Sequence, residues 1–477
     1  MVTGPRLGLF LTAARTALGG RHVLTSASDT AGYVVDWTRR WTGATGGVVR
    51  PASTDEVAAL VAAARRYHVA LVPQGGNTGL VGGAVPQSTD QVVVDMRRLT
   101  TLEPVDVLAG QVTVGAGVTL GALQAHAAGA GLRFGVDLGA RDSATVGGMV
   151  ATNAGGLHVV RYGSMRAQVV GVEAVLGTGG VVSRLFGLVK DNTGYDLAQL
   201  LCGSEGTLGL VTRVRLRLVP PAGELVVGLL AVGSMDAAVR LAAALRRGLP
   251  GVQALEVMDG DGMRIVAAGL GVPPPVAPEA AAFLLVEVAG PVDPTDALAA
   301  ALSGLDAGAG SGLIDAAVAT SGPDRARLWR FREAHPEVVA TFGIVHKMDV
   351  TLPTAALADF CVVVRAGIAR RWPDAVTLVY GHVGDGNVHV NVVLPGDRHG
   401  DHHDDEGREL DDLVLGLVVE RGGSISAEHG IGIAKKHWLA RDRTPAELDA
   451  MRAVKAALDP DGILNPDVLL PPPTTSP

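Results

Sequence analysis

Cysteine is almost missing from this chain: two residues in 477, Cys202 and Cys361. That excludes a disulfide framework and points to a reducing compartment, read here as cytoplasmic. Single thiols in apolar surroundings are usually inert core residues. Charge is thin as well. Charged residues make up 18% against 48% hydrophobic, with a net charge of -8, so the basic footprint of a nucleic-acid binder is lacking and a small-molecule partner is expected. Long apolar runs are missing too. Leu7 to Ala14 is short and preceded only by Arg6, and nothing approaches the length needed to span a bilayer.

Glycine is abundant, with 64 residues, and its densest stretch is Pro73 to Gly83, PQGGNTGLVGG. Five glycines in eleven residues exclude a regular element and predict a loop whose backbone approaches a ligand closely, with exposed N–H groups suited to an anion. The loop has neither the Gly-Lys-Ser/Thr of a phosphate loop nor the spacing of a dinucleotide-fold turn. Before it, Ser53-x-x-Glu56 reads as a capping box and Val57, Leu60, Val61 and Ala64 recur at helical spacing. The loop therefore sits at the C-terminal end of a strand–helix–strand unit, where open α/β sheets place ligands. A second glycine tract runs from Asp137 to Gly163, and Pro220-Pro221 closes the region. The length predicts two or three domains.

Further along, Asp385-Gly386 between the strand-like segments Thr377–Tyr380 and Val388–Leu394 signals a two-residue hairpin. In that register His382 pairs directly with His389, with Asn391 on the same face and Val388, Val390 and Val392 on the opposite, buried one. Two facing histidines plus a carboxylate make a divalent-metal site with open positions. The stretch GDRHGDHHDD, with His399, His402 and His403, reads as a solvated surface insertion.

PQGGNTGLVGG, ATVGGMVATNAGG, RYGS, KDNTGYDL and GSEGTLG, in this order, resemble the vanillyl-alcohol-oxidase or PCMH-type FAD-binding domain. GHVGDGNVHVN, GSISAEHGIG and LDPDGILNP extend the resemblance to the FAD-linked D-2-hydroxyacid dehydrogenases, nearest those for D-2-hydroxyglutarate and D-lactate. It implies an α+β chain: a helical N-terminal segment (1–45), a two-subdomain FAD-binding domain (46–220), an α/β substrate or cap domain with the metal hairpin (221–420), a mainly helical C-terminal segment returning to the flavin (421–470) and a disordered tail (471–477).

By the same resemblance Pro73, Gln74, Gly75, Gly76, Asn77, Thr78, Gly79 and Leu80 cradle the FAD pyrophosphate. Asp137, Ala144, Thr145, Gly147, Gly148, Asn153, Ala154 and Gly156 line the rest of the cofactor, and Asn465 stands near the flavin ring. The loop offers Asn77 and no histidine, so the FAD is expected to be held non-covalently. Glu428 is implied as the third metal ligand beside His382 and His389, the ion being zinc, with manganese, iron or cobalt as alternatives. Arg332 and Lys347 fall on positions that bind substrate carboxylates, with Asn391 beside them, and His429, directly after Glu428, is the candidate general base. Pro336 stands where 2-hydroxyglutarate enzymes tend to carry a substrate-contacting threonine, which leaves the substrate open between 2-hydroxyglutarate and lactate types. The expected reaction is oxidation of a D-2-hydroxy acid to the 2-oxo acid by hydride transfer to flavin N5. An oxidase using dioxygen and a non-catalytic flavin-binding scaffold are the alternatives. The electron acceptor is open among electron-transfer flavoprotein, quinone and cytochrome, and a homodimer is possible.

Overall fold

The computed structural model describes residues 4–306, 312–396 and 404–472; the three histidines of the acidic insertion and most of the Pro-rich tail lie outside them. The chain divides into two units, one of residues 1–156, 162–221 and 428–477, the other of 157–161 and 222–427.

In the first unit, helix Thr54–Tyr67 starts where the sequence says it should. The Ser53 hydroxyl accepts the Glu56 N–H, while the Glu56 carboxylate reaches back one residue further than a capping box requires, to the Ala52 N–H. Its buried face is Val57, Leu60, Val61 and Ala64, and His68 ends it in the left-handed region at φ 51°. Strand Ala70–Gln74 follows and runs parallel to Gln91–Asp95, in a four-stranded sheet with Gly47–Val49 and Val23–Leu24. The second sheet is antiparallel around the eleven-residue strand Gly209–Val219, flanked by Gln111–Gly115 and Val169–Leu176, with Arg133–Phe134 and Val181–Ser183 at its margins. The C-terminal stretch returns to this unit: Leu464 bridges Leu71, and Lys455 Nζ donates to the Thr207 and Leu464 carbonyls.

The second unit is built on a seven-stranded antiparallel sheet. Its order is Leu313–Ala319, Glu224–Val232, Ala282–Gly290, Val252–Asp259, Val376–Gly381, Asn387–Val393 and His346–Thr351. Strands Val252–Asp259 and Asn387–Val393 are buried along their whole length, which is why the polar residues they carry are informative: a buried polar group requires a partner. Among the described residues no helix is long and apolar enough to cross a membrane.

Candidate active site

In the first unit the two predicted glycine tracts lie against one another. A Cβ on Gly76 would stand 1.8 Å from the Ser143 carbonyl oxygen, and one on Gly75 would stand 2.2 Å from Thr145 Oγ1. Close approach rather than φ therefore demands these two glycines; within the loop φ is positive only at Asn77 and Gly82. The Thr145 hydroxyl is buried without a hydrogen-bond partner, and a buried orphan beside a side-chain-free cradle is the feature expected of residues that fit a bound FAD. Gly147 packs its Cα on Ala116, and Gly148 is exposed. Gly156, at φ 128°, backs onto the Asp137 carbonyl, and the Asp137 carboxylate pairs with Arg141. Ala144 is buried, Ala154, Thr78 and Leu80 are half-buried, and Gly79 is exposed; Pro73 packs against Gly206.

The side-chain amides among these residues hold the loops. Asn77 donates to the Val35 carbonyl at 2.8 Å, and Gln74 to those of Tyr33 and Ala84. Asn153 Oδ1 accepts the Ser164 hydroxyl and the Arg166 N–H. Asn465 Nδ2 donates to the Gly83 and Glu205 carbonyls, tying the C-terminal stretch to the glycine loop.

Glu205, in the GSEGTLG tract, was given no role by sequence, and it is the anchor of this region. Its carboxylate accepts the Ile431 N–H at 2.7 Å and the Gly432 N–H at 2.8 Å, which fixes the backbone just after Glu428 and His429. Burial pushes its pKa up, against these two N–H donors and nearby Lys435. Glu428 and His429 lie 4.0 Å apart, Oε1 to Nε2.

In the second unit the hairpin departs from the expected register. His389 pairs with Tyr380, not with His382, and the strands are joined by five residues, 382–386. The connection closes around the His382 carbonyl, which accepts from the Asp385 and Asn387 N–H groups at 3.2 Å. The two imidazoles nonetheless meet, with ring centroids 5.4 Å apart and planes at 83°. On the other side of Asn387–Val393, Asp349 pairs with His389 and Lys347 with Asn391. Paired residues share a face, so Lys347, Asp349, His389 and Asn391 stand together, and Asn391 Nδ2 donates to the Tyr380 hydroxyl at 2.7 Å.

Each histidine has a carboxylate at Nδ1. His382 Nδ1 is 2.6 Å from Glu256 Oε1, and His389 Nδ1 is 3.5 Å from Asp349 Oδ1. Arg332, the predicted carboxylate binder, gives its Nε to Glu256 Oε2 at 2.7 Å and lies 4.6 Å over the Tyr380 ring. Burial works to raise the Glu256 pKa, but His382 and Arg332 outweigh it and hold the carboxyl below its usual range. Below Tyr380 lies His335, fully buried, its Nδ1 donating to the Phe331 carbonyl at 2.8 Å and its pKa pushed down to about 3 by burial and by Arg332. Asp349 Oδ2 accepts the Ala427 N–H at 3.1 Å, and Glu428 and His429 are the next residues in the chain.

Two family models match: residues 45–184 as "FAD binding domain" and residues 223–469 as "FAD linked oxidases, C-terminal domain". The D-2-hydroxyglutarate dehydrogenase of Xanthomonas citri pv. viticola is 36% identical over 98% of this chain and 97% of its own length. The chain belongs to the FAD-linked D-2-hydroxyacid dehydrogenase family. The mitochondrial D-2-hydroxyglutarate dehydrogenase of Bos taurus is 37% identical over 97% of this chain and 83% of that protein. Among solved structures p-cresol methylhydroxylase superposes with TM-score 0.75 at 16% identity, over 98% of this chain and 97% of that one. Alkyldihydroxyacetonephosphate synthase gives 0.74 at 17%, over 98% and 86%. At such identities these likenesses concern the fold, which is the PCMH-type fold the glycine motifs imply. Four residues of this family member escaped the sequence reading: Glu205, Glu256, His335 and Asp349. Glu256 carried a signal, a carboxylate in the middle of the apolar run Ala254–Met258.

Proposed function

We propose that the protein oxidises a D-2-hydroxy dicarboxylic acid of the 2-hydroxyglutarate type to its 2-oxo acid, with FAD and a divalent cation, zinc in our reading. The observation that carries this is the shared face of Lys347, Asp349, His389 and Asn391, with His382 5.4 Å from His389 and Arg332 tied to His382 through Glu256. Cations for carboxylates and imidazoles backed by carboxylates are the two things an α-hydroxycarboxylate needs.

His382 and His389, each with a carboxylate at Nδ1, would hold the ion together with Glu428. When bound, FAD would supply the hydride acceptor and the cation a Lewis acid for the α-hydroxyl. Arg332 and Lys347 hold the carboxylates, the guanidinium as a fork and the ammonium as a point charge, and so present one face of the α-carbon. Asn391 orients the polar end, and His429 takes the hydroxyl proton. The loops 73–80 and 144–148, packed on one another at Gly75 and Gly76, would hold the cofactor. Electrons would leave to electron-transfer flavoprotein, a quinone or a cytochrome. A reducing compartment, cytoplasmic in our reading, suits Cys202 and Cys361, both unpaired and buried, with thiol pKa values raised by burial to about 11 and about 12.

The test is a substrate panel under argon, read by bleaching of the flavin absorbance. D-2-Hydroxyglutarate is expected to reduce the flavin, its L-enantiomer not. Faster reduction by D-lactate would move the substrate to the monocarboxylate type, in line with Pro336; no reduction by any D-2-hydroxy acid would sink the reading.

A further inference from the structure

We infer that Glu256 is a positioning residue that couples the metal-binding histidine to the substrate-binding arginine; this rests on the metal-dependent reading above. Its side chain is wholly buried, with Oε1 on His382 Nδ1 at 2.6 Å and Oε2 on Arg332 Nε at 2.7 Å. An ionised carboxylate only accepts hydrogen bonds, so both partners must donate. This assigns the proton of neutral His382 to Nδ1 and makes Nε2 the ligating nitrogen, the tautomer that a carboxylate behind a metal-bound imidazole selects. The same contact holds Arg332 at Nε, with the guanidinium laid over Tyr380, so that its Nη edge is the one presented to a substrate carboxylate.

One buried anion thus sets the tautomer of a ligand and the aim of a specificity cation, and no other side chain replaces it. Glutamine has a single acceptor oxygen, so its NH₂ must face either the Nδ1–H of His382 or the Nε–H of Arg332, donor against donor. Aspartate is one methylene shorter and would hold the same carboxylate short of both partners.

The experiment uses the full-length, FAD-loaded protein, stripped of metal and titrated with Zn²⁺ against a chromophoric chelator, for the wild type, Glu256→Gln, Arg332→Met and the double variant Glu256→Leu/Arg332→Met, which leaves His382 Nδ1 no acceptor. The double variant matters because Glu256→Gln alone leaves Arg332 buried and uncompensated and can fail to fold; with Arg332→Met both charges go. Glu256→Gln and the double variant are expected to bind Zn²⁺ about 10–100-fold more weakly, the range seen when such a supporting partner is lost. Arg332→Met is expected to keep wild-type Zn²⁺ affinity while raising KM more than it lowers kcat. Wild-type Zn²⁺ affinity in the double variant overturns the inference. A wild type that takes up no divalent ion would instead sink the metal-dependent reading itself, and this inference with it.

Discussion

His335 joins a pH-sensitive side chain to complete burial. In the unfolded chain it takes a proton near 6.5; in the folded protein it stays neutral down to about 3. Between these values the unfolded state binds one more proton, so stability falls as pH falls and nothing is lost above pH 6.5. From pH 6.5 to pH 5 the penalty amounts to about 2 kcal/mol at 1.36 kcal/mol per unit. His335→Asn, which keeps a donor for the Phe331 carbonyl, is expected to flatten the drop in unfolding midpoint between pH 7 and pH 5; an unchanged slope would assign the acid sensitivity elsewhere. Gly76 makes the second prediction at this scale. With a Cβ 1.8 Å from the Ser143 oxygen, Gly76→Ala must push the two glycine tracts apart, and the purified variant is expected to lose most of its 450 nm absorbance. The sequence pointed to both loops through glycine density, but it could not say which glycines answer to φ and which to close approach. Nor could it find Glu256 or His335, whose partners lie 126 and 45 residues further along the chain, at His382 and Tyr380.

At the scale of the element, the hairpin shows local preference losing to tertiary contact. Asp385-Gly386 favours a two-residue turn, and that register would pair His382 with His389. Instead Asn387 is claimed by its neighbour strand, its amide donating to Asp349 Oδ1 at 2.7 Å and to the Val350 carbonyl at 3.0 Å. His382 is claimed by Glu256. The pairing moves to Tyr380 and His389, and the loop grows to take up the difference. The meeting of the two histidines, legible from sequence, survives because either register keeps them at the same end of the hairpin. Gly386 is where the longer loop has a backbone requirement: φ is 88°, and a Cβ there would stand 2.6 Å from the Leu352 carbonyl oxygen. Gly386→Ala is therefore expected to destabilise the second unit by at least about 1–2 kcal/mol, read as a shift in the denaturant midpoint, and to weaken metal binding. A variant as stable as the wild type would mean that neither the positive φ nor the Leu352 contact constrains the connection.

For the whole molecule, the proposed division of labour is between chain segments. The described cofactor-loop residues 73–80, 137–156 and 465 belong to the first unit, and His382, His389, Arg332 and Lys347 to the second. Fold class and family were legible because glycine-rich loops leave their mark on local sequence, whereas the antiparallel pairing of seven strands depends on contacts between distant segments. If the cofactor is held by the loops of one unit and the ion by the histidines of the other with Glu428, the two should be removable separately. Chelation, or His389→Ala, is expected to abolish flavin reduction by the D-2-hydroxy acid while the flavin spectrum and the FAD-to-protein ratio stay unchanged. Acid precipitation should then release the FAD into the supernatant, since the loop presents Asn77, engaged with the Val35 carbonyl, and no histidine to bond the ring. The general base is tested against the same background: His429→Ala is expected to keep metal and FAD and to slow single-turnover flavin reduction by about 10²–10⁴-fold, the range for a lost acid–base group. Reduction at the wild-type rate in stopped flow would remove His429 from that role, and loss of FAD on chelation would show that the ion supports the cofactor loops as well as the substrate.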